Sequence, residues 1–145
     1  MIDMTSIFEA LYTRFKLFDG EDDPYTITSG RLFRTQAPPG VDFPIIVVQQ
    51  TGGSINEMFS GESLDNISLQ MSVFDEYRND ATRASKLMRN LVDIYNWQEL
   101  PIPDADEFIR MKRDGLPTET IEDMSHIHIY QDWTLEHQVP TIFRR

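Results

Sequence analysis

The 145-residue sequence has no cysteine. That excludes disulfides, thiolate metal sites, iron–sulfur clusters and a cysteine nucleophile. It also has no run of about 18 apolar residues, so no segment reads as a membrane-spanning helix. The opening Met1-Ile2-Asp3-Met4-Thr5 has neither a basic nor an apolar signal-peptide region, so cytoplasmic folding is expected. Basic residues are scarce: 13 Lys and Arg face 24 Asp and Glu, for a net charge of −11. Nucleic-acid binding depends on neutralising phosphates, so a chain this acidic is poorly suited to wrapping DNA or RNA. Three further motifs are missing: a Lys-Ser/Thr phosphate loop after Gly52-Gly53-Ser54, a Gly-x-Ser-x-Gly elbow and a dinucleotide-binding glycine fingerprint.

What is present describes a folded chain. Hydrophobic residues make up 40% and aromatics 11%, too many for a disordered segment. The length suits one domain over residues 1–145. A first helix is expected from Thr5 to Phe18, with Ser6 and Glu9 as a capping box and Ile7, Phe8, Leu11, Phe15 and Phe18 on one stripe. Gly20 is expected to end it in the left-handed conformation, and Pro24 to prevent a restart. The acidic loop between them holds Glu21, Asp22 and Asp23.

Arg31 to Gln36 suggests a short strand, and Phe43 to Thr51 a strand buried on both faces. In Ile67 to Phe74, Ile67, Leu69, Met71 and Val73 alternate with polar residues, as in a strand with one buried face. The 15 polar, glycine-punctuated residues from Gly52 to Asn66 lie between these strands. They read as a projecting hairpin tip carrying Met58 and Phe59 as a docking pair.

A second helix is expected from Asn79 or Asp80 to Asn96, with Asn79 as N-cap and Arg83, Lys86 and Arg89 away from its apolar stripe. Pro101 and Pro103 mark a turn, Glu107 to Lys112 a strand, Gly115-Leu116-Pro117 a second turn, and Thr118 to Gln138 one or two strands. Trp97 and Trp133 read as core or sheet anchors. The fold class that follows is α+β: a mainly antiparallel sheet, two helices on one face and a long protruding hairpin.

Candidate chemistry is sparse. His126-x-His128 places two imidazoles on one strand face with Tyr130 and Asp132, but a zinc site needs a third ligand, and His137 falls on the opposite parity. The carboxylate clusters fall in loops, where solvent keeps them ionised. A small ligand-binding or metal-dependent enzyme using the His126–Asp132 face is therefore the alternative reading, not the leading one. Neither a catalytic nor a cofactor residue is assigned.

The order of elements carries a resemblance. The N-terminal amphipathic helix is followed by Arg31-Leu32-Phe33 and Gln36-Ala37-Pro38, then by Phe43-Pro44 leading into Ile45-Ile46-Val47-Val48-Gln49. A glycine-bearing hairpin runs into Ile67 to Phe74, the helix near Ala81 follows, and Tyr130 to Leu135 closes the match. The sequence resembles the tail-completion proteins, or tail terminators, of long-tailed bacteriophages and gene transfer agents. The resemblance implies a virion structural protein without enzyme activity or cofactor, made in the host cytoplasm and built into the tail–head junction. Such proteins form a ring, commonly a hexamer, that stops tail-tube polymerisation and meets the capsid neck. The implied partners are further copies of the chain, the tail-tube protein and a capsid connector or stopper protein. DNA passes through without specific binding, and no membrane is involved. A head-closure stopper is the nearest alternative role. Met58, Phe59, Arg83, Ile142, Phe143, Arg144 and Arg145 are the expected subunit or partner contacts, and Glu21, Asp22 and Asp23 an acidic lumen or interface.

Overall fold

The computed structural model describes residues 3–58, 61–77, 82–103, 107–122 and 125–138. In chain order the elements are α1 (Met4–Leu17), α2 (Pro24–Ile27), β1 (Leu32–Arg34), β2 (Ile45–Met58), β3 (Gly61–Glu76), α3 (Thr82–Tyr95), β4 (Gln98–Pro101), β5 (Phe108–Glu122) and β6 (His126–Gln138). The six strands form one sheet in the order β1-β2-β3-β6-β5-β4. Only β1 and β2 run parallel; every other neighbouring pair is antiparallel. The expected α+β class is the one observed.

The first helix forms where its stripe demands. Ile7, Leu11 and Phe15 are fully buried, and Phe8 and Phe18 pack partly against the core. Its cap differs from expectation. Asp3, not Ser6, is the N-cap, and its carboxylate accepts the Ser6 amide at 2.9 Å. Gly20 does not adopt a left-handed conformation either; the helix closes at Phe18, whose amide donates to the Phe15 carbonyl. Pro24 opens the short helix α2 instead of blocking one, since a proline at the first helical position gives up no needed amide.

The sheet's inner face carries alternate residues of its central strands. Ile67, Leu69, Met71 and Val73 of β3 and Ile127, Ile129, Trp133 and Leu135 of β6 are buried there, under Ala84, Leu87, Met88, Leu91 and Tyr95 of α3. Ile45 to Val48 are buried on both faces, as a continuous β-branched run requires. Two hydrogen bonds tie α1 to α3: the buried Tyr95 hydroxyl donates to the Leu11 carbonyl at 2.7 Å, and the partly buried Arg14 Nε to the Ile94 carbonyl at 2.6 Å. The second serves a carbonyl at the end of α3, where the helix has no amide left to offer.

Three further local expectations need correction. Gly115-Leu116-Pro117 is not a turn. β5 continues past it, with a register shift between Asp114 and Thr118 against β6. Gly115 has φ +73°, and the buried Gln131 amide donates to the Asp114 and Gly115 carbonyls, so the three residues form a stitched bulge. The segment after α3 contains a strand, β4, paired with β5 from Gln98↔Met111 to Pro101↔Phe108. Trp133 is a buried anchor as expected, but Trp97 is 67% exposed. Trp97 sits at φ +63° because the chain leaves α3 abruptly to enter β4, its amide donating to the Met111 carbonyl at 2.8 Å.

Candidate assembly surfaces

The described residues of the 52–66 segment form a paired ribbon. β2 and β3 stay in register through Ile55↔Leu64, Asn56↔Ser63, Glu57↔Glu62 and Met58↔Gly61, with irregularities at Gln50/Gly52 and Ser54/Ile55. The β3–β6 ladder ends at Asn66↔Glu136, and β1 pairs only with Ile46 to Val48. Among the described residues, strands 55–58 and 61–64 therefore pair only with each other. At about 3.3 Å per residue the ribbon extends roughly 13 Å beyond the sheet. An isolated two-stranded ribbon is marginally stable in water, so an arm of this kind gains from a partner surface. The expected hairpin is present; Phe59 at its tip lies outside the described residues, as do Ile142, Phe143, Arg144 and Arg145.

The acidic loop and the basic side of α3 meet within one chain. Lys86 Nζ lies 3.3 Å from Asp22, and Asn90 donates to the Asp22 carbonyl at 3.1 Å. Asp23 accepts the Gly20 amide at 2.9 Å within the loop itself. Glu21 stays exposed. Arg83 grips Asp75 with both arms of its guanidinium, Nε donating at 2.7 Å. The Asp75 side chain is 3% exposed and that of Arg83 51%. The hydrogen bond to Asp75 raises the Arg83 pKa despite its partial desolvation. The sequence offers no hint of this pair, because Asp75 lies at the end of β3, eight positions from Arg83.

On the outer sheet face His126 and His128 share a side as expected, but their rings pack on aromatics. His128 stacks on Phe74 at 4.3 Å between centroids, with Tyr130 at 5.3 Å, and His126 lies against Phe43 at 5.0 Å. Asp132 accepts from Gln70 at 3.2 Å. His137 takes the opposite face, 3.4 Å from a Glu107 carboxylate oxygen. Among the described residues no three His, Asp or Glu side chains converge as a metal-binding group.

Two exposed features had no sequence signal. Trp97 stands over Arg110, Lys112, Thr134 and Glu136, near the root of the arm. Between α3 and the outer half of β5 lies a groove of about 560 Å³, floored by Met88, Val92, Leu116 and Ile129 and flanked by Arg89 and Arg113. Leu116 is 79% exposed beside it. A sequence scan sees Arg89 and Arg113 24 positions apart, and only folding brings them to one rim.

This layout, a mainly antiparallel six-stranded sheet with helices on one face and a ribbon extending from one end, defines a fold shared with solved proteins. A chain of the virion of a native gene transfer agent particle has the same fold, with a TM-score of 0.64 and 10% identity, the match covering 89% of this chain and 92% of that one. A second solved chain, whose name describes no function, matches with a TM-score of 0.68 and 11% identity over 97% of this chain and 99% of that one. No protein-family model and no curated protein sequence matches. Among the described residues no helix is long and apolar enough to cross a membrane.

Proposed function

We propose that this chain is a structural virion protein, a tail terminator that forms a ring at the end of a phage-type tail tube and joins it to the capsid neck. The observation that carries the reading is the fold shared with a gene transfer agent virion chain over nearly the full length of both. The ribbon arm supports it, since a marginal two-stranded extension fits a protein stabilised by its neighbours. The protein acts without catalysis or cofactor, and its partners are its own copies, the tail-tube protein and a connector or stopper protein of the neck.

The physical scale suits this role. A 145-residue chain has a radius of gyration of about 15 Å, equivalent to a sphere roughly 38 Å across. Six such spheres in a ring enclose a hole about one sphere wide, enough for a DNA duplex and surrounding loops. Six copies at −11 each carry about −66, and charge facing the hole repels phosphates so that DNA slides through. Tail contacts through Ile142, Phe143, Arg144 and Arg145 belong to the same reading.

Native mass spectrometry over a concentration series, with negative-stain images of the same samples and of tube-protein mixtures, tests it. Open-centred rings, free or capping tubes, are expected. A stable dimer that neither closes nor binds tubes would overturn it. Capture of a portal-side adaptor in place of tube protein would reassign the chain as a head-closure stopper. Phe143→Ala is expected to weaken docking onto tubes while leaving the melting temperature unchanged; an unaltered titration would remove the tail from the interface.

A further inference from the structure

We infer that the ribbon arm of one copy seats in the α3–β5 groove of the next, giving a head-to-tail contact that repeats around the assembly; this deepens the ring reading and rests on it. The first argument is complementarity. The groove floor is apolar, with Met88, Val92, Leu116 and Ile129. On its flanks Arg89 and Arg113 make no ion pair among the described residues, although Asp93 and Glu119 line the same groove. In a chain of net charge −11, two unengaged arginines beside an apolar floor suit a segment that is both apolar and acidic. The arm has that composition: Ile55, Met58 and Leu64 with Glu57 and Glu62.

The second argument is reach. The arm leaves the sheet level with Glu136 of β6, whereas the groove lies alongside the stretch of β6 from Trp133 to Ile129. Ile129 is seven residues from Glu136, roughly 23 Å down the strand, and the arm runs the other way. An arm extending from that end of the sheet does not reach the groove of its own chain, so the occupant comes from another copy. A contact joining two different patches is heterologous, and repetition of a heterologous contact gives a ring when the rotation closes. Edge-strand pairing contributes little, because Pro117 and the 115–117 bulge interrupt the free margin of β5. The contact is instead carried by apolar seating and arginine–carboxylate pairs.

Complementation tests the contact. Arg89→Glu with Arg113→Glu leaves the fold intact, since both residues are exposed, and raises the concentration for half-assembly by roughly tenfold or more. Adding Glu57→Arg and Glu62→Arg to that variant restores assembly. Below that raised concentration, a chain lacking Ile55 to Leu64 and the double-glutamate chain are each monomeric alone, yet mixed they form a one-to-one dimer and nothing larger. Glu57→Cys with Arg113→Cys, in a chain free of native cysteine, gives a disulfide-linked ladder on oxidation. Rings indifferent to all of these changes would overturn the contact and leave the ring reading standing. Cross-linked open strings that never close or cap a tube would establish the contact and overturn the ring. A wild-type chain monomeric at every concentration, with no cross-linking on tubes, would overturn the contact.

Discussion

Arg83 shows how a side chain expected at an interface can be a structural part of its own chain. Asp75 is nearly buried and accepts both guanidinium arms, together with the Glu76 amide at 2.8 Å. Removing Arg83 strands a buried carboxylate. For a fully buried pair that costs about 3–5 kcal/mol; with Arg83 half exposed, solvent screening reduces it to about 2 kcal/mol. Arg83→Ala is therefore expected to lower the urea midpoint clearly, with Arg83→Lys recovering only part, because lysine cannot grip both oxygens. Tyr95 is simpler. Burial pushes its phenol far above its ordinary pKa, so it stays a neutral donor to Leu11 at any working pH. Tyr95→Phe removes this second bond from a carbonyl that lies within α1 and is expected to cost about 1 kcal/mol by denaturant titration. Asp3 brings a pH dependence. Its pKa is lowered chiefly by the Ser6 backbone amide, so its contribution is present above the ordinary carboxylate range and fades as pH falls through the lowered value. The difference in melting temperature between the wild type and Asp3→Ala is expected at pH 7 and to shrink towards pH 2.

At the scale of elements, hydrophobic periodicity located the two long helices and the central strands because it is a local record of which face is buried. It fails where one side chain far away decides the outcome. Gly115-Leu116-Pro117 has the composition of a turn, and the buried Gln131 amide holds it as a bulge instead. Gln131 shares its parity with Ile129 and Trp133, and a buried glutamine among them was the available signal. Trp97 misled for a different reason: an aromatic after a helix reads as core, but the short step into β4 turns it outward. The arm is the element with the most to lose alone. Deleting Ile55 to Leu64 should leave the melting temperature nearly unchanged, because β3, β6 and the helices keep their contacts. Loss of assembly by sedimentation velocity is expected; a deletion variant assembling normally would show that the arm has no interface role.

For the whole molecule, net charge governs how copies meet. At −11 each, approaching copies repel over a Debye length, about 30 Å at 0.01 M salt and about 8 Å at 0.15 M. Assembly is expected to strengthen between those salt concentrations, because screening removes long-range repulsion faster than it weakens seated arginine–carboxylate pairs. Light scattering across that range measures it, and monotonic weakening would mean that surface ion pairs outweigh net repulsion. The sequence by itself determined the fold class, the buried stripes, the absence of cysteine chemistry and the placing of a hairpin between two strands, since each is set by residues near one another in the chain. Tertiary structure alone decided that Arg83 holds Asp75, that Lys86 engages the chain's own acidic loop, and that Arg89 and Arg113 flank one groove at a distance from the arm's root. Those depend on strand order and register, which bring together residues that no local pattern links.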